Sequence, residues 1–322
     1  MAVQNKNKKY LCFADFEFTC GVSVPNWRRE TLSVGIIICD TDYRFVDCYY
    51  STCRPASKCR LTKECRKLTH LKQEEIDRSP DSNRVFGEVC EMLEKYDIRD
   101  VKVWGNDDRI ALYSDFKMHK KNNADGQNIR RVELRIHDIQ NKLTLKMELP
   151  QAVNIEELAT AFGYTPAVGT FHNAYNDAMA LYLIQKAVFT TDFQNNLKFA
   201  ELKQKRLDRI AAEKKRVDET RKANALSVPL SAREQEYYSQ ISESGTEKDI
   251  KNFIFLRSKI ISALNHSPEE ERFFLIVYPA KIKIIPQSRF DPEKNFHILR
   301  ITDFCRNDFG DVVVDECKLR EK

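Results

Sequence analysis

Tyr10-Leu11-Cys12-Phe13-Ala14-Asp15-Phe16-Glu17-Phe18-Thr19 decides the reading of this 322-residue chain. Aromatic and apolar residues of this kind favour a strand. Alternation puts Phe13, Asp15, Glu17 and Thr19 on one face and Cys12, Ala14, Phe16 and Phe18 on the other. Two acids on such a strand have two explanations. Either they sit at its open end and face water, or they are paired, protonated or bound to metal, because an unpaired buried charge is costly.

Working outward, residues 32–39 and 45–53 read as two further strands, joined by a turn at Asp40-Thr41-Asp42-Tyr43. Residues 82–95 then carry Val85, Val89, Met92 and Leu93 at helical spacing. A short strand is expected at 101–104, a helix at 109–120, a strand at 133–138, and helices at 155–162 and 174–189. Antiparallel strands followed by β-α-β-α predict an α/β unit, a mixed sheet with helices on its faces.

The length exceeds one ordinary core and predicts two domains. Residues 198–226 contain few apolar side chains and no Gly or Pro, so a long exposed helix is expected there, ended or followed by Pro229. Beyond it Ser231 and Glu234 form a capping-box pattern. Ile250, Phe253, Ile254, Arg257, Ile261 and Leu264 share one helical face, and 273–278, 281–285, 297–302 and 311–315 look like strands. The expected organisation is a first domain over 1–192, a basic linker helix over 193–227 and a small α+β accessory domain over 228–322.

Composition sets the class. Hydrophobic residues make up 42% and charged residues 31%, which excludes wholesale disorder. No apolar run approaches the roughly 18 residues that span a bilayer. Lys6, Lys8 and Lys9 precede an apolar stretch broken by Asp15 and Glu17, which fails as an export signal, so a cytoplasmic location is expected. The ten cysteines include no Cys-x-x-Cys pair and are expected to be free thiols. The net charge of +5 is matched by the surplus of five bases over acids between Lys198 and Lys222. That segment is either a solvated helix supported by the pairs Glu201/Lys205 and Asp218/Lys222 or a contact for phosphates.

Two further motifs bear on chemistry. In Trp104-Gly105-Asn106-Asp107-Asp108-Arg109 a strand ends, turns at Gly105 and enters a helix. Two adjacent aspartates exceed what a cap requires, so Asp107 is assigned to the cap and Asp108 to the chemistry. In His172-Asn173-Ala174-Tyr175-Asn176-Asp177-Ala178, Asp177 falls within the buried stripe Ala174, Asp177, Ala178, Leu181. His172 cannot share that face if it is helical, and is placed on the loop entering the helix. Four carboxylates in one cleft repel unless divalent cations occupy it, and oxygen-rich sites prefer Mg²⁺ or Mn²⁺. Two such ions about 3.5–4 Å apart stabilise attack and departure at a phosphodiester, and a neutral histidine can take the proton of the attacking water.

The order Asp-x-Glu, Trp-Gly-x-x-Asp and His-x4-Asp resembles the DEDDh 3′–5′ exonucleases of the DnaQ-like superfamily, most of all the branch with the Eri-type and sporulation-inhibitor-type enzymes. Leu68-Thr69-His70-Leu71, Ile76-Asp77-Arg78-Ser79-Pro80 and Asn154-Ile155-Glu156-Glu157-Leu158 are similar to that branch as well. The resemblance covers residues 10–189 and implies an RNase H-like mixed five-stranded sheet flanked by helices. It implies two Mg²⁺ (or Mn²⁺) held by Asp15, Glu17, Asp108 and Asp177, with Asp15 bridging, and His172 as general base. It implies 5′-mononucleotides released from the 3′ ends of single-stranded RNA or DNA, with Phe18 and Thr19 against the terminal nucleotide. Where the family often has Gly, this chain has His70, so a different turn is expected there. The alternative is a nucleic-acid-binding or scaffolding protein with an incidental nuclease site. In that reading the basic helix and accessory domain are the functional parts; in either reading a protein partner or self-association is expected through the linker helix and accessory domain. An endonuclease or phosphodiesterase built on the same residues is a third reading.

Overall fold

The strand that carries the two acids, β1 (Tyr10–Phe18), lies at the centre of a five-stranded sheet in the computed structural model. The structure describes residues 9–227, 230, 232–266, 272–278, 281–286, 289, 300–306 and 312–315. With β2 (Thr31–Asp40), β3 (Phe45–Thr52), β4 (Val101–Val103) and β5 (Ile136–Asp138), the order is β3-β2-β1-β4-β5. The first three strands pair antiparallel, and β4 and β5 join β1 in parallel. This is the mixed, helix-flanked, RNase H-like sheet that was expected. The two faces of β1 part as its alternation requires. Phe13 enters one buried cluster, and Cys12, Ala14 and Phe16 enter the other.

Around the sheet run α1 (Lys63–Thr69), α2 (Gln73–Arg78), α3 (Ser82–Lys95), α4 (Asp107–Lys121), α5 (Gln127–Glu133), α6 (Gln140–Lys146), α7 (Ile155–Ala161) and α8 (Ala174–Thr190). The short helices α1, α2, α5 and α6 were not anticipated, since two turns show too few repeats of an apolar stripe to read. The strand expected from residue 133 begins at Ile136 instead, because Glu133 ends α5 and is buried in ion pairs with Arg109 and Arg130. His70 ends α1 in the left-handed conformation, φ 59°, that a glycine adopts more easily. The eight described cysteines are free thiols; Cys317 and the side chain of Cys305 lie outside the description.

A buried polar pin joins α4 to the sheet and to α3. Asp115 Oδ2 accepts from Thr31 N at 3.0 Å and from Thr31 Oγ1 at 2.6 Å. His119 Nδ1 lies 3.1 Å from Asp115 Oδ1, and His119 Nε2 lies 3.0 Å from Ser82 Oγ. Burial alone would lower the pKa of His119, but Asp115 outweighs it and raises it. The sequence Ser-His-Asp has the connectivity of a nucleophile relay, yet all three side chains are 0% exposed, so the network is structural. Asp115→Ala, which leaves the Thr31 N–H, the Thr31 hydroxyl and the His119 ring without their buried partner, is expected to cost about 3–5 kcal/mol, visible as a fall in the urea midpoint at unchanged slope.

Contacts divide the chain into Met1–Leu207 and Asp208–Lys322. The boundary falls inside α9 (Leu197–Ala225), and not at its start as expected. The first part of α9 is no free linker, because Phe199 is buried against Phe162 and Phe193 while Lys203 and Arg206 pair with Glu148 and Glu157. Asp218 pairs with Arg221, three residues on, and not with Lys222, four residues on; both spacings place side chains as neighbours on a helix. The second unit contains α10 (Ala232–Ser244), α11 (Glu247–His266) and an antiparallel sheet ordered β7-β6-β8-β9. Its strands are β6 (Arg272–Tyr278), β7 (Lys281–Pro286), β8 (Arg300–Arg306) and β9 (Val312–Asp315). This agrees with an α+β unit. The Ser231 cap, residues 297–299 of one expected strand and residue 311 of another lie outside the described residues. Arg257 on the inner face of α11 is only 2% exposed, held by Glu234 at 2.9 Å and the Ala225 carbonyl. Among the described residues no helix is long and apolar enough to cross a membrane.

Candidate active site

The site is assembled where β1, α4 and α8 meet. In the β1–β2 register Asp15 faces Gly35. A β-carbon at Gly35 would overlap the carbonyl of Ala174, so its absence lets the start of α8 lie directly on the sheet. Asn173 caps α8, its Oδ1 accepting from Tyr175 N at 3.1 Å and Asn176 N at 3.3 Å. Asp177 is thereby held in the first turn of α8 and is buried, as are Ala174, Ala178 and Leu181 of its stripe.

His172 stands on the entering loop, exposed, with φ 62°. Two ties hold this strained backbone. Asn176 Nδ2 donates to the carbonyls of Val168 (3.0 Å) and Thr170 (2.8 Å), and His172 N donates to Asp177 Oδ2 at 3.0 Å. Strain of this sort persists only where surrounding bonds over-determine it. Glu17, His172 and Asp177 each offer a ligand atom, all within 4.8 Å of one another.

Asp108 reaches the site from the first turn of α4. Gly105 turns the chain with φ 100°, and its N–H donates to Asp138 Oδ1 at 2.9 Å, which also accepts from Gln140 N at 2.8 Å. The cap assignment of Asp107 is corrected. Asn106 occupies the cap position without a side-chain bond, and Asp107 is an exposed first residue of α4, where an anion suits the helix dipole.

The four carboxylates interact. Burial, then Asp108, Asp177 and Glu17, push Asp15 well above the carboxylate range. Burial, then Asp177 and Asp108, raise Glu17 to about 8. Burial, then Asp107, Asp138 and Asp177, raise Asp108 to about 8. Asp177 is raised to about 7 by burial and by Glu156 against the lowering bond from His172 N–H. Every side-chain charge acting on the four is negative. Asp177 Oδ1 is buried with no hydrogen-bond partner. An all-oxygen donor set, an orphaned carboxylate oxygen and uncompensated negative charge fit hard divalent cations.

The sign of the pH effect follows. These acids bind protons more tightly folded than unfolded, so the stability they contribute is present at low pH and lost as pH rises from the ordinary carboxylate range to about 8. Mn²⁺ or Mg²⁺ is therefore expected to raise the melting temperature more at pH 8 than at pH 5. A rise no larger at pH 8, followed by scanning fluorimetry with and without EDTA, would count against cation binding by these acids.

Of the two residues expected against substrate, Phe18 is half-buried beside Phe16. Thr19 is buried, its N–H donating to Glu30 O and its hydroxyl accepting from Glu30 N. That hydroxyl is committed to β2's lead-in and does not offer itself to the cleft. Two contributors were missed. Asp138 holds the turn before α4, and an acid at the end of an expected strand was the available signal. Tyr50, paired with Gly35 in the β2–β3 register, accepts from Asn173 Nδ2 at 3.4 Å, and nothing local in the sequence marks it.

No family model matches the chain, and no curated protein matches it. Among solved structures it is similar to a 3′-exonuclease in 3′-end specific recognition of histone mRNA stem-loop, at 16% identity and TM-score 0.47, covering 56% of this chain and 64% of that one. It is similar to E. coli ExoI with single-stranded DNA in a zinc-bound form, at 14% identity and TM-score 0.45, covering 61% and 43%. The nuclease domain of 3′hExo, a DEDDh family member bound to rAMP, is similar at 19% identity and TM-score 0.40, covering 56% and 92%. The chain thus spans less than two thirds of the length of the first two. The narrower Eri-type and sporulation-inhibitor-type branch finds no support among these neighbours.

Proposed function

We propose that this cleft hydrolyses phosphodiester bonds at the 3′ ends of single-stranded RNA or DNA and releases 5′-mononucleotides. The reading is carried by one observation: Asp15, Glu17, Asp108 and Asp177, from three separated segments, crowd into one cleft beside an exposed imidazole with no positive side chain among the influences on them. Asp15, Glu17, Asp108 and Asp177 would hold two Mg²⁺ or Mn²⁺ ions, which when bound supply Lewis-acid stabilisation of the attacking and leaving oxygens. The residues themselves do the rest. Asp177 receives the His172 N–H and so fixes the loop that presents the ring. His172, exposed at the rim, takes a proton from water at a ring nitrogen and can pass it to solvent. Asp138 keeps Asp108 in place through the Gly105 N–H.

The test uses a 5′-labelled oligonucleotide with a free or a blocked 3′ end, with Mn²⁺ or with EDTA. Stepwise shortening of the free end alone, abolished by EDTA, is expected. Shortening of the blocked strand or cleavage of a circle would point to an endonuclease, and binding without shortening would favour the scaffolding alternative.

A further inference from the structure

Beyond the end of β1 the first unit contains a cavity of about 370 Å³ that the cleft chemistry does not use. Its wall includes Thr19, Cys65, Lys121 of α4, Arg28, Glu30 and Arg60. It begins close to the cleft, since Thr19 is two residues, about 7 Å of strand, past Glu17. It also leads away from it, since Lys121 is thirteen residues, about 20 Å of helix, past Asp108. At about 3.4 Å of rise per nucleotide in a stacked strand, that reach matches roughly six nucleotides.

The charge in this cavity is uncompensated. Among the described residues, Arg28, Arg60 and Lys121 form no ion pair. The acid in the wall, Glu30, is buried and already bonded by Ser57 N at 2.9 Å and by the Ser57 hydroxyl. Beside the cavity Trp27 is 60% exposed, with the Arg28 guanidinium 4.6 Å and Lys121 Nζ 6.0 Å from its ring centre. An exposed ring with a guanidinium over it suits a base stacked on or beside that pair and phosphates at the two cations.

We infer that this cavity and Trp27 bind the single-stranded polynucleotide upstream of the 3′ end, with phosphates at Arg28, Arg60 and Lys121 and a base on Trp27. The inference rests on the 3′-end reading proposed above. It makes a short substrate poorer than a long one because the short one cannot reach the anchor.

The test is fluorescence anisotropy of the full chain with a labelled strand of about twelve nucleotides, beyond the cavity's reach, in EDTA so that no cleavage occurs. The triple variant R28Q/R60Q/K121Q is expected to weaken binding about tenfold and to flatten the plot of log affinity against log salt by about 2, three cations at about 0.7 each. R28K/R60K/K121R is expected to keep the wild-type slope, and W27A to weaken binding without changing it. In steady-state cleavage the triple variant is expected to raise KM for the long strand and shrink its advantage over a dinucleotide. Wild-type affinity and slope in the glutamine variant would overturn the inference. Should that variant not fold, K121Q alone carries the test, with a slope change of about 0.7. A wild-type chain that shortens no oligonucleotide would sink the exonuclease reading, while the binding arm in EDTA would still decide the cavity.

Discussion

Asp15→Asn is expected to reduce 3′-end cleavage by at least about a thousandfold while the chain stays folded. Asp15 is the acid most surrounded by the others, feeling Asp108, Asp177 and Glu17 together. A neutral amide of the same shape relieves that repulsion, so metal-free stability should hold or rise while divalent-ion affinity falls. His172→Ala is expected to cost about 10²–10⁴ in kcat, the usual contribution of a positioned base, and to flatten the pH profile without removing ion binding. Rates from single-turnover cleavage, with Mn²⁺ titrated by calorimetry, separate the two effects. An Asp15→Asn chain that keeps metal-dependent turnover within tenfold of wild type would end the two-cation account.

Gly35→Ala is expected to combine a stability loss of about 1–3 kcal/mol, the range for overpacking a full core, with at least a hundredfold loss of activity. The added methyl would meet backbone at Ala174 and Tyr175, which cannot swing aside as a long side-chain tip can. The start of α8 must then lift from the sheet, and Asp177, His172 and the Asn173 cap move with it. A displacement of about 1 Å at a positioning element can cost a hundredfold in rate. The measurements are a urea titration and kcat in parallel. An alanine variant with wild-type turnover would mean that the close approach at Gly35 does not position the acids.

Much of this is legible in the sequence. The alternation of β1, the stripe through Asp177 and the loop position of His172 each depend on short-range periodicity, and each appears in the structure as the spacing required. Legibility failed where the deciding contact is remote in sequence or the element is brief. The cap of α4 was assigned to Asp107 on residue type, yet the turn is held by Asp138, thirty-three residues from Gly105. The resemblance implies Thr19 against the terminal nucleotide, whereas in the structure its N–H and hydroxyl are bonded to the backbone of Glu30, eleven residues away. The apolar residues of the first part of α9 were too few to announce docking, and one of them, Phe199, suffices because two aromatic rings wait for it.

The chain's own letters determined that a strand would carry two acids on one face, that a helix would bury a third, and that a mixed sheet would gather the strands. Those are consequences of two- and 3.6-residue repeats, which need no partner to be read. Only the tertiary structure decided that the acids share one volume, that Gly35 lets α8 approach, and that Lys121 of α4 comes to the exposed Trp27. Such facts depend on through-space distances between residues far apart along the backbone, and no local pattern encodes a distance that the fold alone creates.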